Sequence, residues 1–143
     1  MFEYTRDNTR QFFIDSWQKY QEKKPLEALE QQVCDIILIH PEYHPVLTTH
    51  QIEKDYLPEI GEANPFLHMG LHLGLREQIA TNRPVGIQMI YQTLAPKTTS
   101  LHELEHKMIE CLAEMLWQSQ KYGTPLNDET YLSCLQQLQY TLK

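Results

Sequence analysis

The sequence predicts an all-α protein: a single-domain bundle of about five to six helices over residues 1–143, with one long irregular loop at residues 40–64. Three observations carry this reading. Gly is scarce, at 5 of 143 residues, which argues against a turn-rich β-sandwich. Apolar residues recur at helical spacing through most of the chain. Helix punctuation is explicit at Pro65, at Ser100 with Glu103, and at Gly123.

Taken in order, the first helix is expected from about Thr9 to Lys23, with Asp7 or Asn8 as cap. Phe12, Phe13, Trp17 and Tyr20 form its apolar face. Pro25 is expected to start a second helix that continues to Ile39. The run Val33–Ile39 has strand-like residues but continues a helical pattern without a turn signal. Pro41, Pro45, Pro58 and Gly61 punctuate the loop, with a short helix expected near Thr49–Tyr56. The third helix opens with Asn64 as cap and Pro65 in the first position, and runs to Ala80. Asn82-Arg83-Pro84 breaks it, and a shorter helix follows to Leu94. The fifth starts at the Ser100–Glu103 capping box and runs to Lys121, ended by Gly123 and Pro125. The sixth spans Asn127 to Tyr140.

The net charge of -7, with 12 scattered basic residues, argues against nucleic acid and against an anionic membrane surface. No apolar run approaches the roughly 20 residues of a membrane span. The N-terminus lacks the basic start and apolar stretch of a secretory signal. Cys34, Cys111 and Cys134 are odd in number and far apart. They are expected as buried free thiols of a cytoplasmic protein.

The histidines carry the functional signal. Seven histidines include three pairs four residues apart: His40/His44, His68/His72 and His102/His106. Random placement gives roughly 0.3 such pairs, so the spacing is not accidental; it is also the spacing of helix neighbours. Two imidazoles on adjacent turns can hold one metal at about 2.0–2.1 Å each. The His40/His44 pair is the weakest of the three, because Pro41 and Pro45 restrict helix there. Between Pro65 and Leu75, His68 and His72 are the only polar side chains, on a helix apolar nearly all round. Gly70 and Gly74 add a small face where another helix could approach. On the fifth helix Glu105 falls inside the apolar arc, His102 and His106 lie at its edge, and Glu110 follows one turn after His106. A carboxylate is rarely buried unless paired.

Glu103 and His106 form a single Glu-x-x-His motif. A di-iron carboxylate bundle needs two copies, so a histidine-rich site fits better. The competing reading is structural: buried histidines bonded to carboxylates or carbonyls, with Glu105 neutralising His68 or Arg76. Trp17, Trp117 and Tyr131 read as core or partly buried amphipathic packing residues, and the adaptor reading places a partner surface near Trp117. No Cys-x-x-Cys, nucleophile elbow or phosphate-binding loop is present, and no cofactor-binding motif other than the metal candidates stands out.

The stretches His40-Pro41-Glu42-Tyr43-His44, Asn64-Pro65-Phe66-Leu67-His68-Met69-Gly70-Leu71-His72, Arg76-Glu77-Gln78, Glu105-His106, Glu110-Cys111-Leu112 and Leu116-Trp117 resemble a bacterial family of small helical proteins defined as a domain of unknown function. The resemblance covers nearly the whole chain, and Asn-Pro-Phe-Leu-His-x-x-Leu-His is its most specific part. It implies a stand-alone helical protein of Gram-negative bacteria and brings no activity, substrate or cofactor. It adds weight to His44, His68, His72, Glu77 and His106.

The expectation is therefore a metal-binding helical bundle. His68 and His72 supply two ligands, His106 with Glu105 or Glu110 completes the site, and His44 adds a fifth from the loop. Imidazole with carboxylate suits iron, zinc or nickel. The alternative is a non-enzymatic adaptor or regulator, with a protein partner or a homo-oligomer and a metal-free histidine network.

Overall fold

The computed structural model describes residues 6–48 and 65–142. All regular structure among these residues is helical. The α-helices are α1 (Arg6–Gln21), α2 (Ala28–Leu38), α3 (His44–Thr48), α4 (Pro65–Thr81), α5 (Ile87–Leu94), α6 (Leu101–Tyr122) and α7 (Asp128–Gln137). A 3₁₀ turn at Pro41–Tyr43 precedes α3. The chain divides into two compact units, Met1–Leu73 and Gly74–Lys143, and α4 runs through the boundary. No described helix is long and apolar enough to cross a membrane.

In the first unit Phe13, Ile14 and Trp17 of α1 meet Val33, Ile36 and Ile37 of α2, Leu47 of α3, and Phe66 and Met69 of α4. The Phe13 and Phe66 rings lie nearly parallel with centroids 6.2 Å apart, and the Arg10 guanidinium sits 5.0 Å over the Phe66 ring. Burying this many large apolar side chains is the main stabilising term of the unit. The run at 33–38 is helical, as its continuous pattern implies. Cys34 is fully buried and donates to the Ser16 carbonyl at 3.3 Å. Burial pushes its thiol up to about 11.

Two boundaries differ from expectation. α1 spans Arg6–Gln21, so Asp7 and Asn8 lie inside it rather than capping it. α2 starts at Ala28, not at Pro25. The Glu30 carboxylate explains the later start: it accepts the Glu27 N–H at 2.9 Å and the Lys19 ammonium at 2.7 Å, satisfying an end-of-helix donor. These two bonds hold the Glu30 carboxyl below the usual carboxylate range. A lowered carboxylate stabilises the fold above the unfolded value of about 4.3, and that stability is lost as pH falls through the folded value. Glu30→Gln should therefore cost about 1 kcal/mol near neutral pH, and the difference from wild type should vanish in acid. Urea unfolding at the two pH values reads this directly.

Residues 41–48, expected as irregular, are helical. The prolines do not prevent it. Pro41 opens the 3₁₀ turn and Pro45 sits in the first turn of α3, where a missing N–H costs nothing. The helix expected near Thr49–Tyr56, the Asn64 cap and His50 lie outside the described residues.

α4 is not buried nearly all round. Phe66, Met69, His72 and Leu75 are buried at a spacing of three, whereas Leu67 is 60% exposed. Among the described residues nothing approaches Gly70 or Gly74 within 4 Å of where a side chain would begin, so no second helix uses that small face.

In the second unit Asn82 adopts a left-handed conformation (φ 55°) ahead of the cis Arg83–Pro84 bond. Its side-chain oxygen accepts the Gly86 and Gln88 N–H groups and so starts α5. Ser100 caps α6 through the Glu103 N–H, Gly123 (φ 63°) ends it, and Asn127 caps α7 through the Thr130 N–H. Leu104, Met108, Ile109, Leu112 and Met115 of α6 and Tyr131 and Leu135 of α7 are buried. The Tyr131 hydroxyl donates to Gln78 at 2.7 Å, and burial raises its pKa.

One expectation is narrowed here and one fails. Trp117 is a surface residue, 51% exposed, with the Lys121 ammonium 4.6 Å from its ring. Cys111 and Cys134 are not free thiols. They form a disulfide that ties α7 to α6, with Cα atoms 5.8 Å apart. Closing a loop over a 23-residue separation contributes roughly 3 kcal/mol by restricting the unfolded chain.

Candidate metal centre

The first unit brings three histidines together. His68 and His72 occupy successive turns of α4, as their spacing predicts. His40 follows the last turn of α2, where its N–H bonds the Ile37 carbonyl, and it leads into the Pro41–Tyr43 turn. The His40 and His72 Nε2 atoms are 2.8 Å apart, and the His72 and His68 Nε2 atoms are 3.0 Å apart. One nitrogen from each of the three lies within 4.8 Å of the others. His72 is fully buried and His40 nearly so, while His68 is half-buried.

The ring orientations are imposed from outside the cluster. His40 Nδ1 lies 2.7 Å from a Glu42 carboxylate oxygen. A carboxylate only accepts, so Nδ1 carries the proton and donates it, and Nε2 is left as the lone-pair nitrogen facing His72. Burial pushes the Glu42 carboxyl up. The His40 hydrogen bond, Glu42's own backbone N–H and the neighbouring imidazoles outweigh it and hold the group below its ordinary value. Tyr43 closes one side, its ring 5.2 Å from that of His40 and 5.9 Å from that of His68. Burial raises its phenol, which stays neutral.

His44 faces elsewhere. Its Nε2 lies 3.0 Å from the Ile37 carbonyl, to which it donates, and its ring packs at 4.5 Å on Trp17. Glu105 accepts from the Arg76 guanidinium at 2.9 Å, the pairing expected in the structural reading. Glu110 is exposed on α6. His102 and His106 stand together on α6 in the second unit, rings 4.2 Å apart. Sequence reasoning therefore found His68 and His72 but passed over His40 and Glu42. The available signal was His40-Pro41-Glu42 itself: a histidine at a helix end with a carboxylate two residues on.

A hydrogen-bond network does not account for this geometry unaided. An imidazole nitrogen has one in-plane direction, holding either a proton or a lone pair. His72 Nε2 faces two other Nε2 atoms at hydrogen-bond distance, and one proton serves only one of them. A cation at the point of convergence would be shared by all three lone pairs. Two nitrogens at about 2.0–2.1 Å from a metal and at right angles are about 2.8–3.0 Å apart, whereas tetrahedral ligands are about 3.3–3.4 Å apart. The His40–His72 and His72–His68 spacings, 2.8 and 3.0 Å, match the right-angled case.

No curated protein and no solved structure matches the chain. A family model described as a domain of unknown function spans residues 5–137, so the chain belongs to that family, DUF1841.

Proposed function

We propose that the protein is a metal-binding helical protein in which His40, His68 and His72 hold one first-row transition metal through Nε2. The supporting observation is the convergence of the His40 and His68 Nε2 atoms on that of His72, at 2.8 and 3.0 Å, with His72 fully buried. The near-right-angle spacing favours six-coordinate iron or nickel over tetrahedral zinc. Three imidazoles on a six-coordinate ion leave positions for water, dioxygen or a small anion. Glu105, Glu110 and His44 are not included.

Cobalt(II) titration of the metal-depleted protein tests the reading. The expected result is one equivalent bound with the weak visible bands of a six-coordinate ion. Intense tetrahedral bands would contradict the coordination, and no binding would contradict the site.

Glu42 is the carboxylate that fixes the His40 tautomer and orients the ring. Such outer partners commonly contribute a factor of 10–100 in metal affinity, so Glu42→Gln should weaken cobalt binding by about that factor without changing the stoichiometry. Its side chain is 56% exposed, so the fold should not suffer. An unchanged affinity would remove Glu42 from the site.

A further inference from the structure

The second unit has a cleft of about 540 Å³ between the C-terminal half of α6 and the start of α7. Both disulfide cysteines are in its wall, with Tyr122 and Tyr131 and the carboxylates Glu114, Asp128 and Glu129. The two sulfurs are not equivalent. Cys111 is 4% exposed, whereas Cys134 is half-buried and also lines a second, shallower cleft with Glu129, Ser133 and Gln137. Cys134 thus borders both clefts. Glu114, Asp128 and Glu129 are exposed, so they set the local potential, and no Lys or Arg lines either cleft.

We infer that Cys134 is a thiol-exchange site, selective for cationic and neutral thiols over anionic ones. A thiolate RS⁻ entering the cleft attacks Cys134 Sγ. The Cys134 S–SR bond forms as the bond to Cys111 breaks. The electron pair goes to Cys111 Sγ, which takes a proton from water. A second thiol attacks the mixed disulfide, releasing RSSR and leaving Cys134 as a thiol. Two thiols are oxidised and one disulfide is reduced. α7 remains docked through buried Tyr131 and Leu135, so exchange removes the covalent tie and leaves the helix in place. The three carboxylates set the selectivity, because like charge slows approach to the sulfur.

The test uses the oxidised full chain with three probes at equal thiolate concentration: cysteamine (cationic), 2-mercaptoethanol (neutral) and mercaptoethanesulfonate (anionic). The expected result is a rate first order in thiol. The cationic probe should react roughly tenfold or more faster than the anionic one, and the trapped adduct should map to Cys134. High salt should erase the charge preference. Glu114→Gln, which lies outside the first turn of α7, should reduce it with the fold intact. An adduct on Cys111, no charge preference, or a rate independent of thiol would overturn the proposal. So would air-oxidised protein in which Cys111 and Cys134 both titrate as thiols.

Discussion

His72→Ala is expected to weaken metal binding by more than about 100-fold, beyond the effect of losing an outer partner. His72 is the residue whose Nε2 stands between those of His40 and His68, so its removal leaves two imidazoles without their common neighbour. His72 is fully buried, and the deleted ring leaves a hole, so some stability is lost as well. His68→Gln separates the two effects. His68 is half-buried, so the fold tolerates the change while a ligand nitrogen is lost. His44→Ala is the internal control. His44 donates to the Ile37 carbonyl and faces Trp17, so its variant should bind metal as wild type does wherever it is folded. Isothermal titration of the four proteins distinguishes these outcomes. Equal loss in His44→Ala and His72→Ala would assign the effect to folding rather than to ligation.

The second large effect lies in the core of the first unit. Trp17→Ala should destabilise the protein by about 3–5 kcal/mol, the usual cost of truncating a buried Trp. Trp17 is 5% exposed in the first unit's core, stacked on Tyr20 at 5.3 Å and against His44 at 4.5 Å. Its indole N–H is buried with no hydrogen-bond partner among the described residues. That donor already costs free energy, so Trp17→Phe, which removes it while keeping an aromatic ring, should lose much less than the alanine variant. Guanidinium unfolding of the two variants measures the difference. Equal losses would mean that the indole N–H carries no penalty.

The helices were legible wherever a local signal fixes an end. Pro65, Ser100, Gly123 and Asn127 act within one turn of chain and stand at or beside the boundaries they mark. Glu30 shifted a boundary because its carboxylate also answers to Lys19, eleven residues away on another helix. The candidate site divides along the same line. His68 and His72 are helix neighbours, and spacing alone reveals them. His40 joins them from 32 residues away. A search for spacing four paired it instead with His44, and those two rings face different partners. The Cys111–Cys134 bond is equally non-local: it needs α6 and α7 side by side, and no spacing rule pairs two cysteines on separate helices. Trp117 was open to either reading because an amphipathic ring suits core or surface, and only the structure places it at the surface with Lys121 over its face.

The most direct test is elemental analysis of untagged protein purified without chelator, with His72→Ala alongside. The account predicts close to one iron or nickel per wild-type chain and none in the variant. Metal-free wild type, even after reconstitution with excess metal, or the same metal content in both proteins, would contradict it.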